Sequence, residues 1–175
     1  MLHNKPRQLQ FMLLLLLVQA MACVSRHVEV RNEALVVDKR QIAEFTKGDV
    51  RYEVYQFQKE APTKSKSKLL NLSIRLVNVG ANVSPLRAIS KDLEQYSANY
   101  EYFLNHAQQD VFLRIKNEPV FPKYYFFENN YNAFPFDVIN VGFAIGAQQI
   151  KKGVQLVFVD KLLTRDSIFF NINIK

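Results

Sequence analysis

Apolar and polar residues alternate along most of this chain, and the alternation predicts strands. Between Leu69 and Val79, Leu70, Leu72, Ile74 and Leu76 fall on one side, and Asn71, Ser73 and Arg75 on the other. A period of two with one apolar side is the pattern of a half-buried strand. Val50 to Gln58 (VRYEVYQFQ) is also strand-like, but Tyr52 and Val54 lie on one face while Tyr55 and Phe57 are shifted by one, which predicts a bulge. Val111, Leu113 and Ile115 alternate with Phe112, Arg114 and Lys116. Further strands are expected at Lys123–Glu128, Val138–Ile145, Val154–Val159 and Ile168–Ile174. The KYYFFE run at 123–128 is aromatic on both faces, so it is expected to be central or covered on both sides. Glu33 to Phe45 fits a strand followed by a turn, or a weak helix, and the pattern does not choose between them.

One segment departs from the period of two. From Ile89 onward, Leu93, Tyr96, Tyr100, Phe103, Leu104 and Ala107 recur at steps of three and four, which predicts a helix over 91–108. Ser90 is the N-cap candidate, and Asp92 and Glu94 in the first turn suit the positive end of the helix dipole. About seven strands with short connections and one inserted helix define a mainly β fold. The expected architecture is a β-sandwich of immunoglobulin-like or transthyretin-like outline, with an α+β sheet crossed by one helix as the alternative. Fourteen Phe, eight Tyr and only five Gly among 175 residues agree with buried strands. A chain of this length builds a core without disulfide staples.

The N-terminal stretch Phe11–Cys23, FMLLLLLVQAMAC, changes the picture. Lys5 and Arg7 precede it without any acid. Its apolar run is far shorter than the roughly 20 residues that span a bilayer. Ala20-Met21-Ala22 fits a small-x-small cleavage site. The expected organisation is a signal peptide over 1–22, an anchor tether over 23–48, and a β-sandwich domain over 49–175. Cys23 is the only cysteine, and an unpaired thiol is a liability in an oxidising compartment. With Ala22 and Cys23 at the cut, the AMAC segment resembles the lipobox of bacterial lipoproteins. That resemblance implies acylation of Cys23 and a membrane-lipid partner. Val24, rather than Asp, after the cysteine implies sorting to the outer membrane, facing the periplasm.

The remaining chemistry is sparse. Three histidines, at 3, 27 and 106, leave a single imidazole in the expected domain, too few for a metal site built on histidine. His106 near the helix C-terminus suits the dipole. Phosphate-loop, zinc-protease and nucleophile-elbow motifs do not occur. No catalytic residue, metal or cofactor is expected, although a carboxylate pair brought together by folding would be an enzyme reading. The formal charge of +7 suits an anionic lipid surface or an acidic partner rather than nucleic acid. The 59–68 loop, KEAPTKSKSK, brings Lys64 and Lys66 forward as partner-contact candidates. In the 129–135 turn, NNYNAFP, Tyr131 and Phe134 are candidates for an exposed hot spot.

These features point to a lipid-anchored cell-envelope protein, a non-catalytic scaffold or binding module that engages envelope proteins. The layout of signal, lipidated cysteine and single β-domain with a helical insertion resembles the small β-sandwich lipoprotein subunit of type VI secretion membrane complexes. That resemblance implies a place in such an apparatus. The alternative is a periplasmic or surface module that binds a ligand or glycan through the aromatic loop at 129–136.

Overall fold

A computed structural model describes residues 39–57, 67–131, 133–146 and 153–172. The segments assigned from sequence to the signal peptide, and Cys23, Lys64, Lys66 and Ile174, lie outside the described residues.

The fold is mainly β, with two antiparallel sheets. The first has five strands: β1 (Lys39–Lys47), β2 (Val50–Phe57), β3 (Ser67–Asn78), β7 (Phe136–Gly146) and β6 (Tyr124–Glu128), in that spatial order. The second has four: β5 (Glu118–Val120), β4 (Val111–Ile115), β8 (Val154–Asp160) and β9 (Asp166–Ile172). The alternation read from sequence in β3 holds. Leu70, Leu72, Ile74 and Leu76 are buried, and they meet Phe143, Val141, Ile139 and Asp137 across the β3–β7 ladder. Val111, Leu113 and Ile115 of β4 and Ile168, Phe170 and Ile172 of β9 are buried from the other sheet. All these aliphatic and aromatic side chains belong to one core, in keeping with a β-sandwich.

Several expectations change. Nine strands are described rather than seven, because β1 and β5 are added. Residues 39–47, given to the tether from sequence, form β1 and pair along the length of β2. The pattern over 33–45 left strand and helix open because the mostly exposed side chains of β1 give no clean alternation, as befits an edge strand. A bulge is present, but it lies in β1. The register slips between Gln41 and Ala43, whereas β2 runs in unbroken register with β3. The 123–128 run is neither central nor doubly covered: β6 is an edge strand, and Phe126 is 57% exposed. Only Tyr125 and Phe127 turn inward, paired with Val141 and Ile139. The Lys116–Asn117 turn between β4 and β5 has both residues at positive φ (52° and 70°), the requirement of a tight primed hairpin turn. Lys-Asn lacks the glycine that announces such turns, so the sequence did not signal it.

The helical insertion follows β3. It begins with an unforeseen short helix, α1 (Pro85–Ala88), capped by Ser84 with Pro85 at the first turn. The main helix, α2 (Leu93–Asn105), is shorter than the expected 91–108. Asp92 rather than Ser90 is its N-cap, accepting from the Gln95 amide at 2.8 Å. Ser90 is engaged elsewhere, donating to the Leu86 carbonyl at 2.7 Å. Phe103 carries α2 into the core, with its ring stacked on Phe127 at 4.8 Å. The Tyr125 hydroxyl donates to the Phe103 carbonyl at 2.7 Å, tying helix to sheet. Leu93 and Leu104, counted on the apolar stripe, are exposed instead. His106 is the C-cap of α2, where the sequence put it.

Candidate binding site at the 129–136 loop

The loop between β6 and β7 is braced from beneath by Asp137. This residue is fully buried at the start of β7, facing the core register. Its carboxylate accepts from the Leu86 amide of α1 at 3.1 Å and from Asn129 Nδ2 at 3.1 Å. Ser84 also donates to it. Burial pushes the Asp137 carboxyl up to about 6, against the opposing pull of the Leu86 and Ser84 donors. One side chain thus fastens the α1 start and the loop start to the sheet.

Asn129 passes the constraint outward. Its Oδ1 accepts from the Tyr96 hydroxyl at 2.9 Å and from the Tyr131 backbone amide at 2.7 Å. Tyr131 takes a positive φ of 47°, uncommon for an aromatic residue, and its side chain is 74% exposed. Its ring lies 6.4 Å from Tyr100, which stacks in turn on Tyr96. The hydrogen bond with Tyr131, with burial second, raises the Tyr100 hydroxyl above its ordinary value; burial leads the upward shift of Tyr96. Tyr131, Tyr96, Leu93, Arg87 and Asp92 line a hollow of about 220 Å³. The Arg87 guanidinium is steadied there by the Ser90 carbonyl, 2.8 Å from Nη1. Such a hollow offers an apolar ring wall, a fixed cation and a carboxylate to a small polar group.

Phe134 does not join this hollow. It stacks on Phe136 at 5.3 Å, and the Arg75 guanidinium covers Phe136 at 4.6 Å. Arg75 also reaches the Tyr55 ring at 4.9 Å and Glu53 at 3.5 Å. The two aromatic candidates therefore serve different surroundings: Tyr131 belongs to the helical insertion, Phe134 to the outer face of the five-stranded sheet. Sequence reasoning missed Arg87; Asn129 was visible only as the start of the turn, and Asp137 only as one of several dispersed acids that folding could pair. Tyr96 and Tyr100 were visible only as members of a helical stripe, at the i, i+4 spacing that stacks them.

Among the described residues there is no group of three or more metal-ligating side chains, and no helix is long and apolar enough to cross a membrane. Fold and loop together define a two-sheet β protein that presents aromatic side chains on a braced loop. Comparison with known proteins finds no family model, curated protein or solved structure that matches the chain.

Proposed function

We propose that the chain is a lipid-anchored protein of the cell envelope, acting without catalysis as a scaffold or binding module within an envelope complex. The observation that carries the binding part is the exposed Tyr131, held in place by the Asp137–Asn129 brace. An aromatic side chain whose backbone is already fixed loses little entropy on association, which is the character of a hot spot. The anchoring part rests on the 11–23 segment and its resemblance to lipoprotein signals. Acylation of Cys23 would hold the domain at the outer membrane, facing the periplasm, and raise its effective concentration near other envelope proteins. A secretion apparatus of the type VI layout is the assembly proposed.

Two measurements test the two parts separately. Cell fractionation and intact-mass spectrometry are expected to find the parent chain in membranes with an acylated N-terminal cysteine, and Cys23→Ala in the aqueous phase. A parent chain with a free thiol in the aqueous phase ends the anchoring reading. A photo-crosslinker at the exposed position 133, in the same loop as Tyr131, is expected to capture a defined envelope protein, with yield falling about tenfold in Tyr131→Ala. Equal capture by parent and variant ends the assignment of this loop.

The hollow beside Tyr131 favours one second reading, a module for a small ligand or glycan. An aromatic wall next to Arg87 and Asp92 suits a sugar ring with polar substituents. Saturable binding of oligosaccharides that is lost in both Tyr131→Ala and Arg87→Ala would favour it over the scaffold.

A further inference from the structure

The outer face of the four-stranded sheet is amphipathic in a way the loop site is not. The ladders set Phe112 opposite Val157 and Val157 opposite Phe169. Phe121 extends this apolar row, its ring 5.8 Å from Phe112. Phe121 and Phe169 are 53% and 48% exposed. The adjacent row is Arg114, Gln155 and Asn171, again in direct register. The Arg114 guanidinium lies 5.1 Å over the Phe169 ring, joining the rows.

This polar row borders a hollow of about 260 Å³, lined also by Lys116 and Asn117 of the hairpin turn. Gln155 Nε2 donates to Asn171 Oδ1 at 3.1 Å, which leaves Asn171 Nδ2 as a donor for an incoming oxygen. Among the described residues, no carboxylate lines the hollow. The outward positions of β4, β8 and β9 carry no acid either. The neighbouring acids sit in the inward register: Glu118 opposite Ile115, and Asp166 opposite Asp160 and paired with Lys47. On the five-stranded sheet, by contrast, Arg51 and Arg75 share the single carboxylate of Glu53.

We propose that the outer face of the four-stranded sheet docks on an anionic lipid surface. Phe121 and Phe169 enter the interface, while Arg114, Lys116 and the Asn171 amide bind headgroup phosphate oxygens. Cations that pair with no acid among the described residues, beside an exposed aromatic row, match a surface that is negative at its phosphates and apolar just beneath them. The contact is separate from any acyl chain on Cys23 and from the Tyr131 site.

The test uses the full chain carrying Cys23→Ala, so that no acyl group contributes. Co-sedimentation compares phosphatidylcholine vesicles with and without phosphatidylglycerol. The apolar 11–17 segment acts on both kinds of vesicle, so the readout is the ratio of anionic to neutral binding. That ratio is expected to exceed about 25. It is expected to fall about fivefold for each of Arg114→Gln and Lys116→Gln, and about 25-fold together. Lys91→Gln, with the same change in net charge outside this face, is expected to alter it less than twofold. Phe121→Ser, away from the strand ladders, is expected to weaken anionic binding about fivefold while thermal unfolding stays unchanged. Excess glycerol phosphate is expected to leave the chain on the vesicles. A ratio near one, an equal response to Lys91→Gln, or release by glycerol phosphate would each overturn the proposal.

Discussion

Asp137 ties the candidate loop to the fold, and its ionisation sets a measurable pH dependence. The carboxyl has no exposed surface, and its value rises from 3.8 to about 6 on folding. The native state therefore holds a proton more readily than the unfolded chain between pH 3.8 and 6. The contribution of Asp137 to stability is complete below pH 3.8 and is lost as pH rises through 6. At about 1.36 kcal/mol per pH unit, the full loss is about 3 kcal/mol, and about 2 kcal/mol of it falls between pH 4.5 and 7.5. The Asn129 bond favours the ionised form further, so these magnitudes are upper values. Asp137→Asn removes the titration while keeping the size of the side chain. Urea unfolding of parent and variant at both pH values isolates the effect, because other carboxylates titrate alike in both chains. The parent is expected to lose 1–2 kcal/mol relative to the variant as pH rises from 4.5 to 7.5. A flat difference, or one of opposite sign, would refute the claim that desolvation outweighs the three donors around this carboxyl.

Other substitutions probe the frame that carries the loop. Phe103→Ala removes the ring stacked on Phe127 and is expected to cost about 3–5 kcal/mol in urea unfolding. Tyr52→Phe deletes the buried hydroxyl that donates to Asp160, itself the acceptor for the Leu162, Leu163 and Thr164 amides. Desolvation, foremost, and the Asp160 carboxylate hold that phenol far above its ordinary value. The loss is expected to cost about 1–2 kcal/mol and to speed amide exchange in 162–164. Gly142 lies beneath the Tyr124 ring, where an added Cβ would overlap Cε1. Gly142→Ala is expected to displace Tyr124 from Asn71 and to destabilise by about 1 kcal/mol. In a Tyr124→Ala background the same change is expected to be neutral or stabilising, since alanine lowers the entropy of the unfolded chain.

Strand existence was legible wherever one face was buried. The alternation in Leu69–Val79 and in Val111–Ile115 reports directly which side chains leave water, so inward and outward positions followed from the residues alone. The insertion of α2 was legible for the same reason, through the change of period from two to about three and a half. Exposed strands wrote no such signal. β1 is polar along most of its length, and its assignment depends on backbone pairing with β2 that side-chain hydropathy does not encode. The aromatic run at 124–128 misled in the opposite direction: hydrophobicity was taken for burial, yet Phe126 and Tyr124 stand on the open side of an edge strand.

The candidate surfaces divide in the same way. Tyr131 and Phe134 were visible as aromatics among turn residues, but their separation into two environments was not. That separation comes from Asp137, which is distant in sequence from Ser84 and Leu86 and is brought beside them only when β7 pairs with β3. The acid-free face of the second sheet also exists only in three dimensions. Arg114, Gln155 and Asn171 form a row because β4, β8 and β9 pair in one register, and a slip of one residue would turn that row inward. The sequence by itself determined which short segments bury a face, because local periodicity follows from the geometry of a single strand or helix. The tertiary structure alone decided which polar residues stand together, because their proximity depends on pairings between segments far apart along the chain.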